Sequence, residues 1–181
     1  MKKFIVLVAA LLAALFIVGC ASKPAAPSEP SASDLLASAK GNAPSGVLVG
    51  QAIAKQGSRE DSIRRAEQNA ALQIIRAIQY IAGEMIDEQV TSGRLSASVV
   101  SDFKTTINTA LSRTGIDAVK VESGAGAGDT GYAVSYLDKA GTLKVFNSAV
   151  TASKESVSGT RNFNNDNFDA VFARAAAREW K

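Results

Sequence analysis

Between Arg59 and Val90 the apolar residues fall at steps of three and four: Ile63, Ala66, Ala70, Ile74, Ile78, Ile81, Met85 and Ile86. That spacing draws one stripe down a helix of about nine turns. An element of that length must lie across whatever the rest of the chain builds. Ser58 followed three residues later by Asp61 reads as a capping box at its start. Arg64, Arg65, Gln68 and Gln79 fill the opposite, solvent-facing side. The charges run against the helix dipole: Arg59, Arg64 and Arg65 stand near the N-terminus, and Glu84, Asp87 and Glu88 near the C-terminus. With Gly83 also present, the last turns are expected to bend or fray. Ser92-Gly93 then breaks the helix.

The segments around this stripe have other periods. Val47 to Ala54 begins apolar and β-branched and then alternates, as a strand does. After the break, Val99, Phe103, Ile107 and Leu111 recur every fourth residue, which predicts a second helix from Ser96 to Arg113, stopped by Gly115. The period then changes to two. Ile116–Ser123, Gly131–Leu137 and Thr142–Val150 read as strands, the last two joined as a hairpin by Asp138-Lys139-Ala140-Gly141. Ser153–Asn165 reads as a polar loop. Asp166 with Asp169 is expected to open a closing helix whose stripe is Phe168, Val171, Phe172 and Ala175 and which ends at Trp180. The predicted class is α+β: a mainly antiparallel sheet of about four strands, with a long helix and two shorter helices packed on one face.

The N-terminus carries the most specific motif. Met1-Lys2-Lys3 is followed by an uncharged apolar run from Phe4 to Val18. Fifteen residues give about 22 Å of helix, short of the roughly 30 Å hydrocarbon core, so a secretory signal is favoured over a spanning helix. The run closes on Ile17-Val18-Gly19-Cys20, which resembles the lipobox of bacterial lipoproteins. The resemblance implies cleavage after Gly19, diacylation of the Cys20 sulfur and acylation of the new amine with fatty acids such as palmitate. Each buried CH₂ contributes about 0.8 kcal/mol, so two or three chains hold where one is marginal. Residue 21 is Ala and not Asp, which by the same resemblance favours sorting to the outer membrane where the host has one. The predicted organisation is a signal peptide over 1–19, a lipidated Cys20 with a disordered Pro/Ala/Ser linker over 20–45, and a globular domain over 46–181. All four prolines, Pro24, Pro27, Pro30 and Pro44, fall in that linker, which reaches about 25–30 Å as a coil. Asp34 to Lys40 within it is able to make a helical turn or two.

Composition narrows the chemistry. The 181 residues include no histidine and one cysteine. That excludes Ser-His-Asp and Cys-His catalysis, imidazole metal ligands, internal disulfides and Cys-x-x-Cys sites. Net charge is +3 and the isoelectric point about 9.1, but Lys2 and Lys3 leave with the signal. A nucleic-acid partner is not expected for an exported, near-neutral body. Five groupings suggest chemistry and each has a plainer explanation. Gly124-Ala125-Gly126-Ala127-Gly128-Asp129 is glycine-rich, but a strand follows where a phosphate loop needs a helix, so a flexible strand-to-strand loop is expected. Ser101-Asp102-Phe103-Lys104 has Ser-x-x-Lys spacing without the partner motifs of acyl-transfer enzymes. Glu84, Asp87 and Glu88 share one helix face without a completing base or ligand. Asn162, Asn164 and Asp166 alternate like a calcium loop, yet position six is Asn167 and position twelve Ala173. The arginines of the long helix fit anionic lipid or glycan in type, but acidic neighbours dilute them.

Val49-Gly50-Gln51-Ala52 leading into Arg65-Ala66-Glu67-Gln68-Asn69-Ala70-Ala71-Leu72 resembles the twenty-kilodalton membrane-associated bacterial lipoprotein family, which is related to outer-membrane lipoproteins of the flagellar basal disk. The likeness covers about a third of the mature chain. It implies a lipobox, a compact α+β body and no catalytic residues or cofactors. The function expected from these features is non-enzymatic: a lipid-anchored envelope lipoprotein, held in the bilayer through Cys20, that assembles with itself or with other envelope proteins at the outer membrane or the flagellar basal disk. The alternatives are a lipoprotein that binds a small ligand or lipid, which needs an apolar cavity, and a carboxylate or Ser-Lys hydrolase, which needs a cleft around those groups.

Overall fold

The computed structural model describes residues 28–113 and 120–180. Gly19, Cys20 and the signal segment lie outside them, as do the first part of the expected linker, the Gly115 helix stop and the start of the strand expected from Ile116. The described chain runs α1 (Ala32–Gly41), β1 (Leu48–Ala54), α2 (Arg59–Thr91), a 3-10 turn at Ala97–Val99, α3 (Val100–Arg113), β2 (Lys120–Gly126), a second 3-10 turn at Ala127–Asp129, β3 (Thr130–Leu137), α4 (Lys139–Ser156) and α5 (Phe168–Ala176). The strands form one antiparallel sheet in the order β1-β3-β2.

The long stripe folds as one helix of 33 residues. Ser58 caps it by accepting from the Asp61 N–H at 3.1 Å, and its hydroxyl donates to the Asp61 carboxylate at 2.8 Å. At about 1.5 Å per residue α2 is roughly 50 Å long, about twice the span of the strands beneath it. Its two halves therefore meet different surroundings. The N-terminal half presents Ala66 and Ala70 to Ala133 of the sheet. A Cβ at Gly50 would stand 2.1 Å from the Ala70 carbonyl oxygen, and one at Gly131 would stand 2.3 Å from the Ser62 backbone. Helix and sheet thus touch backbone to backbone, which explains the small residues. The C-terminal half overhangs the sheet. There Ile74, Ile78, Ile81, Met85 and Ile86 join Phe103, Ile107 and Leu111 of α3, Phe146 of α4, and Phe168, Val171 and Phe172 of α5 in the main core. Phe163 bridges it, packing edge-on to Phe103 at 5.3 Å between ring centroids. Ile63 alone of the stripe is only half-buried.

Strand alternation sorts the two faces of the sheet. Gly50, Ser135 and Gly131 lie on the α2 face. Gly126 lies on the other, where a Cβ would stand 2.4 Å from the Ala32 backbone nitrogen. That second face is covered by α1, so helices pack on both faces and not one. The stretch expected as linker accordingly carries a packed helix, with Ser31 as N-cap and Ala32 and Ala39 buried.

The α+β class and the antiparallel sheet are as the periodicity predicts. The described sheet has three strands where about four were expected, with five α-helices around it. The difference lies at Thr142–Val150, which is inside α4. Its β-branched residues suggest a strand, but Thr142, Phe146, Ala149, Val150 and Ser153 are the buried set, at helical steps. Asp138 is not in a hairpin turn: it is the N-cap of α4 and accepts from the Gly141 N–H at 2.7 Å. The hairpin is instead β2–β3; of the glycine run expected as a strand-to-strand loop, Gly124–Gly126 are the end of β2 and Ala127–Asp129 form the turn to β3. Ser153–Ser156 of the expected polar loop belong to α4. The N-cap of α5 is Asn167, one residue past the expected Asp166, which pairs with Arg94 at 3.3 Å, and the helix ends at Ala176, short of the expected Trp180. α2 continues without a break to Thr91 before Gly93, at φ +72°, turns the chain.

Candidate functional site

Each grouping singled out in the sequence has a definite place in the fold. The acidic end of α2 is a set of clasps. Glu84 and Glu88 both pair with Arg174 of α5, at 3.5 and 3.0 Å, and Glu88 also accepts from the Asn167 amide at 2.9 Å. The hydrogen bond to Glu88 raises the Arg174 guanidinium above its ordinary pKa. Asp87 accepts from Lys104 of α3 through both oxygens, at 2.7 and 2.9 Å. The charges that oppose the helix dipole are therefore met by cations from the two neighbouring helices.

The same pairing decides the Ser-x-x-Lys spacing. The Lys104 ammonium is held by Asp87, and Ser101 is exposed on the outer side of α3. Nothing brings the hydroxyl and amine together as a nucleophile and its base. In the Asn162–Asp166 loop, Asn164 accepts from the buried Gln89 amide at 3.0 Å and donates to Asp166 at 2.7 Å. The same Asp166 oxygen, Oδ2, also accepts from Arg94 at 3.3 Å. No group of three or more Cys, Asp and Glu residues suited to a metal occurs among the described residues. Among the described residues, the buried atoms Gln89 Oε1 and Ser135 Oγ have no hydrogen-bond partner. They lie far apart, at the overhanging and sheet-covered parts of α2.

At the other end of the sheet, Arg59 donates to the Ala125 carbonyl at 3.3 Å and faces Asp129 at 3.9 Å. Arg64 pairs with Asp61. Arg64 and Arg65, with Gln56, Gly57 and Gln68, line a shallow open depression that also contains Asp61. Another cleft, of about 180 Å³, lies between Val47, Lys120, Tyr136 and Asp138. Both are smaller than the several hundred Å³ usual for ligand pockets.

The C-terminus forms a further packed corner. Arg178 lies over Tyr80 at 4.9 Å and over Trp180 at 5.2 Å, while Lys40 of α1 pairs with Glu179. The sequence gives no periodic signal for this corner or for Arg174, because the contacts join residues about 80 to 140 positions apart. It is equally silent on Lys120-Val121-Glu122, whose importance depends on β2 lying at the edge of the sheet. In comparison with known proteins, no family model, no curated protein and no solved structure matches this chain.

Proposed function

We propose that this chain is a lipid-anchored bacterial envelope lipoprotein with a non-catalytic role in assembly, of the kind its resemblance to the twenty-kilodalton membrane-associated lipoproteins implies. The observation that carries the reading is the Val18-Gly19-Cys20 lipobox behind Lys2, Lys3 and the apolar run. Packing of α1 adds to it. The folded body is already in contact with the sheet at Pro30, whose carbonyl accepts from the Ala127 N–H at 3.0 Å. Ala21 to Glu29, nine residues, then separate Cys20 from the body. The anchor would hold the domain against the membrane surface, where assembly is confined to two dimensions. The charged groups that suggested chemistry are spent on joining α2 to α3 and α5, which favours a scaffold over a catalyst.

The test is fatty-acid labelling in a two-membrane bacterium. Labelled palmitate is expected in the wild-type chain, in the outer-membrane fraction, and to be absent from Cys20→Ser. A wild-type chain that takes up no label and fractionates with soluble periplasmic proteins would overturn the proposal.

A further inference from the structure

The two edges of the sheet are finished differently. On β1, the Gln51 N–H donates to Gln73 of α2 at 2.9 Å. On β2, the C-terminal half is covered: Arg59 reaches the Ala125 carbonyl, and Pro30 lies over Gly126 and Ala127. The opening of β2 is not. Lys120, Val121 and Glu122 are all exposed, Val121 at 46% despite being apolar. Among the described residues no strand pairs with their outer side. Of the devices that blunt an edge, this one has charges, Lys120 and Glu122, but neither a proline nor a bulge. Its register with β3 is one-to-one over all seven residues.

The side chains at this edge are self-complementary. In an antiparallel pair of two copies of β2 centred on Val121, each Lys120 lies directly opposite Glu122 of the second copy, and the two Val121 side chains meet on the other face. Directly opposed residues have Cβ atoms about 4.5–5.5 Å apart, within reach of both an ion pair and an apolar contact. The two-fold axis repeats the charge pair, as an isologous interface requires. We infer that Lys120–Glu122 of β2 is the edge through which two copies of this chain join, producing a continuous six-stranded sheet with both α2 helices on one side. The contact is short and would be weak for free protein. Its strength at a membrane comes from effective concentration, and in this respect the inference rests on, and specifies, the anchored assembly role proposed above.

The experiment is oxidative cross-linking of the full chain in native membranes, with Val121→Cys compared with Ser101→Cys on the exposed side of α3. Wild-type protein, whose one cysteine is Cys20, is the control for an unacylated thiol. Disulfide-linked dimer is expected at least about tenfold more at position 121 than at 101. Adding Lys120→Glu to Val121→Cys creates two like-charge pairs and is expected to lower the yield about fivefold; the double reversal Lys120→Glu/Glu122→Lys is expected to restore it. Equal yields at 121 and 101, or a yield at 121 indifferent to these charges, overturn the inference. So does a disulfide from position 121 to a different protein in place of a second copy. Palmitate labelling of the same cells separates the two proposals. Labelled chains without the 121 cross-link contradict the edge alone, and cross-linked chains without label contradict the anchor alone.

Discussion

Gly50 shows how one missing side chain sets the distance between two elements. The Ala70 carbonyl occupies the place where its Cβ would be, so β1 and α2 approach more closely than any side chain permits. Gly50→Ala is expected to destabilise the fold by at least about 1–3 kcal/mol, as overpacking does. Gly83, on the same face-to-face pair of elements only through α2, is the opposite case. A Cβ there meets nothing within 4 Å, and Gly83→Ala is expected to stabilise by about 0.5–1 kcal/mol through helix propensity. Urea denaturation of both variants checks the pair: midpoints that move in the same direction would contradict the packing described for α2.

Among the elements, α4 separates what local pattern shows from what it hides. Val145, Val150 and Thr151 favour β structure locally, and Asp138 to Gly141 has the composition of a tight turn. The helix prevails because Thr142, Phe146, Ala149, Val150 and Ser153 bury a single face against α3 and the core, and because Asp138 supplies the cap. Asp138→Ala is expected to cost about 1 kcal/mol and to reduce helical circular dichroism near the midpoint of unfolding; a strand over Thr142–Val150 would show neither effect. The stripes of α2, α3 and α5 were legible because each buries one face at a constant period. The clasps were not, since Glu84, Asp87 and Glu88 look alike in sequence whether they face water or Arg174 and Lys104. The helical turns allowed at Asp34–Lys40 are within α1; what its linker-like composition hid was the packing, in which Ala32 and Ala39 are small enough to lie on the sheet. The corner of Tyr80, Arg178 and Trp180 supplies a probe of such docking, as Trp180 is the one tryptophan. Arg178→Ala is expected to shift its emission to the red without unfolding the core, and an unchanged spectrum would mean that Trp180 is not held there by Arg178.

For the whole molecule, the long helix serves two purposes at once. Its alanine-rich half seals the sheet, and its isoleucine-rich half builds a helical core beyond the sheet. The two strand edges differ: on β1 the Gln51 N–H is taken by Gln73, while among the described residues no strand pairs with the outer side of Lys120–Glu122. The central claim is that Cys20 is the first residue of the mature chain and its anchor. It is tested most directly by the intact mass and N-terminal peptide of protein extracted from membranes. The account predicts a chain that lacks residues 1–19 and carries acyl mass on Cys20; a chain that retains those residues, or has an unmodified Cys20, would contradict it.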